Sequence, residues 1–227
     1  MAIYLDHAAS TPISDISLAE FNKQLQRIGN PSSLHNFGRD QRRALEEARE
    51  KIATFIDCAP SEIIFTGSGT EADNLAIKGL YWKSGKKVIV ISAFEHKAVL
   101  EPAEWLVEKE GAELIQIPIT KDGIIDLDFL KGLVAKRGSE IALISVMHSN
   151  NEIGAIQPID KVIEIAGDIP VHSDAVQSLL KVPVSFKGLT ALSISAHKVG
   201  GPVGVGALVL KRGLDIPALL HGGGQER

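Results

Sequence analysis

The sequence predicts an α/β fold built on a mostly parallel sheet, and three observations carry that prediction. Short, β-branched apolar runs recur along the chain, amphipathic stretches of helical length separate most of them, and several runs lack the alternation of a strand with one wet face. Residues 14–28 read as a first helix and 38–56 (GRDQRRALEEAREKIATFI) as a second. The run EIIFT at 62–66 is the first strand and leads into a helix over 70–82. KVIVIS at 87–92 is followed by a helix over 97–109, and ELIQIPI at 113–119 by one over 126–137. IALISVM at 141–147 precedes a helix over 158–167, and IPVHSD at 169–174 precedes a short helix, AVQSLL. ALSIS at 191–195 runs into the glycine-rich VGGPVGVGALVL, which predicts a reversal and a final strand of antiparallel sense. Several of the helices close on Gly or Asp turns.

With 227 residues, 44% of them hydrophobic, the chain can bury a large core as one domain or one domain with a small appendage. The net charge of -4 disfavours a nucleic-acid binder, and 5% aromatic residues supply neither a base-stacking platform nor an interfacial belt. Neither a signal-peptide pattern nor an apolar run of about 20 residues is present, so membrane binding is not expected. A single cysteine, Cys58, can make no internal disulfide and fits a reducing compartment, with the cytoplasm as the default. The seven histidines are dispersed without HExxH spacing, which predicts no metal site, and no GxSxG serine elbow occurs.

Ligands of parallel α/β sheets collect beyond the carboxyl ends of the strands. The residues following the apolar runs there are unusually polar: Gly67, Ser68, Gly69 and Thr70; Glu95 and His96; His148, Asn150 and Asn151; Asp174 and Gln177; His197 and Lys198. The TGSGTEADNLAIKG segment reads either as an anion site at a helix N-terminus or as a plain tight turn with an N-cap. Asp174 reads either as a carboxylate that holds a proton on a ring nitrogen or as the N-cap of the helix after it, and Gln177 either reaches a ring hydroxyl or is solvated. Lys198 is either an amine nucleophile, its ammonium destabilised by apolar walls or other cations, or a surface lysine at a strand end. In the functional reading Ser195 and His197 add phosphate donors. His96 either stacks on a planar cofactor or is structural, and Asn151 either donates to a ring oxygen or forms an Asx turn. Cys58, with no basic neighbour in sequence, does not read as catalytic. Together these signals supply an amine, a carboxylate, a phosphate cradle and an imidazole, the set that a pyridoxal 5'-phosphate site needs.

Motifs over essentially the whole chain carry a resemblance: YLDHAASTP at 4–12, NPSSLHNFGR at 30–39, FTGSGTEADNLAIKG at 65–79, EHKAVL at 95–100, NNEIGAIQPI at 150–159, VHSDAVQ at 171–177, SAHKVGGPVGVGAL at 195–208 and HGGGQER at 221–227. In this order they resemble the cysteine desulfurases of the NifS/IscS type, within the class V aminotransferase-like, fold-type I pyridoxal phosphate enzymes. The resemblance implies a three-layer α/β/α fold with a mostly parallel seven-stranded sheet, the large domain of fold-type I pyridoxal phosphate transferases. Residues 15–227 would form that domain, and residues 1–14 would contribute to the small domain and the substrate side. It further implies that Lys198 is the Schiff-base lysine and proton carrier, that Asp174 pairs with the pyridine nitrogen, and that Gln177 and Asn151 bond the ring oxygen. His96 would stack over the ring and assist proton transfer. Thr70, Ser195, His197 and Gly69 would hold the phosphate.

The implied reaction converts L-cysteine to L-alanine and passes the sulfur to an enzyme cysteine as a persulfide. Here the sequence departs from the pattern. The nucleophilic cysteine, the C-terminal small domain, the carboxylate-binding arginine and a phosphate contact across the dimer interface all belong beyond HGGGQER, Cys58 does not match that cysteine's motif, and His7 stands where many members have Asn. The expectations are a chain inactive alone for complete turnover, in a homodimer or an assembly with a chain carrying the missing C-terminal part, and a sulfur-acceptor or scaffold protein as a further partner. The alternatives are a noncatalytic scaffold or dimerisation domain of the same fold, and a related selenocysteine lyase or aminotransferase.

Overall fold

In the computed structural model, which describes residues 3–224 and 226, seven strands form one sheet in the order β1-β7-β6-β5-β4-β2-β3. The strands are β1 (Ile63–Thr66), β2 (Val88–Ser92), β3 (Glu113–Ile117), β4 (Ile141–Ser145), β5 (Val171–Asp174), β6 (Ala191–Ser195) and β7 (Gly206–Leu210). Only β7 runs antiparallel to its neighbours, as the glycine-rich reversal predicts. Of the HGGGQER motif, Gln225 and Arg227 lie outside the described residues.

The helices are α1 (Asp15–Leu25), α2 (Asn36–Ile56), α3 (Gly69–Ser84), α4 (Lys97–Glu110), α5 (Leu127–Arg137) and α6 (Ile159–Ala166). Alternate residues of the central strands feed two cores. Val88 and Val90 of β2 pack with residues of α2, α5 and α6, whereas Ile89 and Ile91 pack with Ala76, Ile77 and Leu80 of α3 and with Val99 and Leu106 of α4. Strands buried on both faces explain the apolar runs without alternation. The architecture is the expected three-layer α/β/α with a mostly parallel seven-stranded sheet.

Helix boundaries follow local chemistry. α2 starts earlier than expected because His35 Nδ1 accepts the N–H of Gly38, and α3 starts where Ser68 Oγ accepts the N–H of Glu71. β3 stops at Ile117 because Pro118 has no N–H to donate to a ladder. The expected AVQSLL helix is absent. Residues 176–181 form turns instead, in which the carboxyl of Asp174 takes the N–H of Val176 and Leu180 turns into the left-handed region at φ 61°.

Candidate active site

The sheet switches direction of growth between β2 and β4, and a cavity of about 470 Å³ opens at the carboxyl ends of the strands there. Gly69, Thr70, His96, Asn151, Asp174, Gln177, Ser195, His197 and Lys198, the residues given roles in the cofactor reading, line this one cavity, whereas Gly67, Glu95, His148 and Asn150 do not.

The α3 end is built by close approach. A Cβ on Gly69 would stand 2.8 Å from Val176 Cγ2 and 3.2 Å from Ser195 Cβ, and one on Gly206 would meet the backbone of Ser68 at 2.5 Å. Glycine at both places lets the turn settle between β6 and β7, so the first turn of α3 opens beside Ser195. Ser195 Oγ and His197 Nδ1 lie 2.8 Å apart there. Hydroxyls, an imidazole and a helix N-terminus converging on one spot form an anion cradle.

At the other end Asp174 terminates β5, is 5% exposed, and accepts the Val176 N–H at 2.8 Å. Burial raises its pKa above the ordinary carboxyl value, while that backbone bond and the nearby His96 and Lys198 pull the other way. His96 caps α4, its Nδ1 accepting the N–H of Ala98 at 3.1 Å, so the neutral ring carries its proton on Nε2. Lys198 follows β6 in a short 3-10 turn, and its Nζ donates to the carbonyls of Ala8 at 2.5 Å and Ala9 at 2.8 Å. Partial burial and the neighbouring Lys181 lower its pKa from the ordinary lysine value, against the pull of Asp174 and Asp6.

Two predicted residues are more occupied than expected. Gln177 Nε2 donates to Ala8 O at 2.7 Å and its Oε1 accepts from Lys181 Nζ at 3.0 Å. Asn151 Nδ2 donates to Glu152 at 2.8 Å, and the Asx turn considered for it belongs to Asn150, whose Oδ1 accepts the N–H groups of Glu152 and Ile153. His148, bonded to Ser178 Oγ at 2.8 Å, is not among the cavity-lining residues.

Sequence reasoning missed Asp6, Met147 and Asp73 in the lining. Asp73 had a signal: at helical spacing it shares the face of Ala76, Ile77 and Leu80, a charged residue on a buried stripe. Glu95, next to His96, is tucked below, its Oε1 accepting from Ser92 Oγ at 2.5 Å and the Met147 N–H at 2.7 Å; burial pushes its pKa up to about 8. Cys58 lies outside this cavity, and burial with Glu62 and Asp57 nearby pushes its thiol up to about 11. Among the described residues there is no metal-ligand cluster, and no helix is long and apolar enough to cross a membrane.

The amine, buried carboxyl, imidazole and anion cradle fit pyridoxal phosphate by their donor chemistry, and Gly69 leaves open the space beside Ser195 that a side chain would take.

Residues 3–227 match the family model described as aminotransferase class-V. The chain is 46% identical over 233 residues to an IscS-like cysteine desulfurase of Mycobacterium tuberculosis, covering 99% of this chain and 59% of that protein. The solved structure of a NifS-like protein superposes with a TM-score of 0.94 at 38% identity, covering 100% of this chain and 64% of that one. A structure described as SspA in complex with cysteine superposes with a TM-score of 0.93 at 36% identity, covering 99% of this chain and 66% of that one. The chain thus spans less than two thirds of the length of these relatives. With the motifs, the sheet order and the cavity in agreement, the chain belongs to the class-V aminotransferase family and, within it, to the NifS/IscS-type cysteine desulfurases, fold-type I enzymes that use pyridoxal phosphate.

Proposed function

We propose that this chain supplies the cofactor-binding part of a cysteine desulfurase that converts L-cysteine to L-alanine and passes the sulfur to an enzyme thiol as a persulfide. The observation that carries the reading is the meeting of Lys198 Nζ, the Asp174 carboxyl, the His96 ring and the Gly69–Thr70 helix start around one cavity. When bound, pyridoxal phosphate supplies an electron sink for negative charge developing at the substrate α-carbon. Asp174 would hold the proton on the ring nitrogen. The N–H groups opening α3, with Thr70, Ser195 and His197, would hold the phosphate, and Gln177 and Asn151 would bond the ring oxygen on release from Ala8 and Glu152. Lys198 would anchor the cofactor through Nζ and move the proton at the substrate α-carbon, a role favoured by its lowered pKa. His96 would stack over the ring, its Nδ1 held by the Ala98 N–H and its Nε2 left for proton transfer.

The sulfur-accepting thiol must come from elsewhere, because a thiol pushed up to about 11 is almost wholly protonated at neutral pH and Cys58 is not at the cavity. We place that thiol on the remainder of the relatives' length, in the same polypeptide or a second chain, within a cytoplasmic homodimer or mixed assembly that hands sulfur to an acceptor protein. Residues 15–227 are the large domain in this reading, and residues 1–14 face the small domain and the substrate. Support for that division is the exposure of Ile3 and Leu5, at 83% and 82%.

The test is spectroscopic and then catalytic. Pyridoxal phosphate added to the chain is expected to give a visible band of lysine-bound cofactor that Lys198→Ala abolishes; a cleanly folded chain with no such band rejects the site. Sulfide release from L-cysteine, assayed with and without a co-purifying chain, then separates an enzyme from the scaffold reading that the lack of an activated thiol favours.

A further inference from the structure

Between α3 and the sheet, directly under the cavity, runs a buried polar row that the proposed chemistry leaves unused. His172 lies two residues before Asp174 on β5, so both side chains share a face of the sheet. Its Nδ1 is 2.9 Å from Ser145 Oγ on β4 and its Nε2 is 3.0 Å from Ser193 Oγ on β6, and all three residues are fully buried. Asp73 descends from α3 onto this row. It is 1% exposed, has Ser193 as a hydroxyl partner, and brings Oδ1 to 3.5 Å from His172 Nε2, where that oxygen has no hydrogen bond.

We propose that Asp73 is a positioning residue for Asp174: it stands at the cavity floor as a neutral acid, in a hydrogen-bonded row with Ser193, His172 and Ser145, and so leaves the negative charge of the floor on Asp174. The inference rests on the pyridoxal phosphate reading of the cavity.

Neutral groups complete the row with every proton assigned. The Asp73 O–H donates to Ser193 Oγ, the Ser193 hydroxyl donates to His172 Nε2, and His172 Nδ1–H donates to Ser145 Oγ. An ionised Asp73 would instead leave a buried anionic oxygen without a donor, which is costly. Its surroundings also oppose ionisation. Asp174 of β5 is a like charge, Glu95 beside His96 adds to the repulsion only when it ionises, and His172 is no cation, because burial holds its pKa down at about 3. Asp174, by contrast, has the Val176 N–H, His96 and Lys198. Of two neighbouring buried carboxyls, the one with donors and cations takes the charge and the other keeps the proton.

The test compares Asp73→Asn, which keeps a neutral group of the same shape, with Asp73→Leu, which cannot hydrogen-bond. In the 227-residue chain loaded with pyridoxal phosphate, Asp73→Leu is expected to move the pH midpoint of the bound cofactor's visible band by about half a unit or more, and Asp73→Asn to leave it within about 0.2 unit of the original. Equal shifts in both variants, or none in either, overturn the proposal. Stability gives a readout independent of cofactor. A carboxyl whose folded pKa lies above its ordinary 3.8 contributes stability at low pH that is lost as pH rises, so Asp73→Asn should gain on the parent chain from pH 4 to 9, by roughly 2 °C or more in Tm at the upper end. A variant less stable throughout would mean an ionised Asp73 paired with a cationic His172, and would refute the assignment. Should either variant fail to fold, nitrogen NMR of His172 in the parent chain decides: a neutral ring protonated on Nδ1 from pH 5 to 8 supports the row, and an imidazolium overturns it. Absence of a cofactor band with these last two results intact would reject the cofactor reading and with it the service to Asp174, while the neutral row would stand.

Discussion

Asp174 and Ser195, on the floor of the cavity, end strands whose every residue is buried, whereas Asp6, Ala8 and Ala9, on its rim, belong to a segment leading into α1, a helix with no buried residue. The floor is held by both hydrophobic cores and by ladder bonds to neighbouring strands. The rim is tied down by a handful of hydrogen bonds: Thr11 N–H to His197 O at 2.9 Å, Ser14 N–H to Gly200 O at 2.9 Å, Thr11 Oγ1 to Lys198 O at 3.1 Å, and the reach of Lys198 and Gln177 to Ala8 O. The difference teaches that the groups proposed to orient the cofactor stand on rigid elements, while the rim proposed for the substrate side hangs on local bonds.

Truncating the floor's support should have the largest effect. Ile89→Ala removes a fully buried side chain between β2 and α3 and is expected to cost about 2–5 kcal/mol in urea unfolding. A cost below 1 kcal/mol would mean that this core is looser than its burial implies.

Next comes a pH effect on the floor. The folded pKa of Glu95, about 8, exceeds its ordinary 4.5, so the folded chain holds that proton more tightly and stability falls as pH rises between those values. Glu95→Gln carries no proton there and should flatten this part of the stability profile, gaining on the parent chain toward pH 8. An unchanged slope would assign the proton elsewhere.

On the rim, Thr11→Val deletes the hydroxyl's shared bonds to Lys198 O at 3.1 Å and His7 O at 3.4 Å and should cost only about 1 kcal/mol globally. Hydrogen exchange should nonetheless quicken at the Thr11 and Ser14 amides while the β5 and β6 amides keep their protection. Uniform acceleration would show that rim and floor open as one unit.

The smallest effect belongs to α1. Ile16→Ser, at a side chain 85% exposed, should change stability by less than about 0.5 kcal/mol. A larger loss would show that this face is covered in solution.

Strand and helix order was legible because period and composition report burial directly. Runs such as KVIVIS have to be covered on both faces, and the glycines of VGGPVGVGALVL mark both the reversal into β7 and the position where Gly206 admits the backbone of Ser68. The turn at 176–181 was not legible, since AVQSLL has ordinary helical propensity and is overruled by the Asp174 carboxyl, which takes the Val176 N–H, and by the left-handed Leu180. Nor did α1 announce its exposure. Its apolar spacing promises a buried face, and whether a partner element covers that face is a property of the whole assembly.

By itself the sequence determined the α/β class, the order of the elements and the candidate chemistry, because each follows from local pattern and from residue types placed at strand ends. Tertiary structure alone decided which polar groups meet. Asp73 and His172, 99 positions apart in the chain, are brought to 3.5 Å only by the packing of α3 on the sheet. Burial likewise separates the acids, since carboxyls that would all ionise in water must divide their protons once the folded chain removes the solvent and leaves donors beside only some of them.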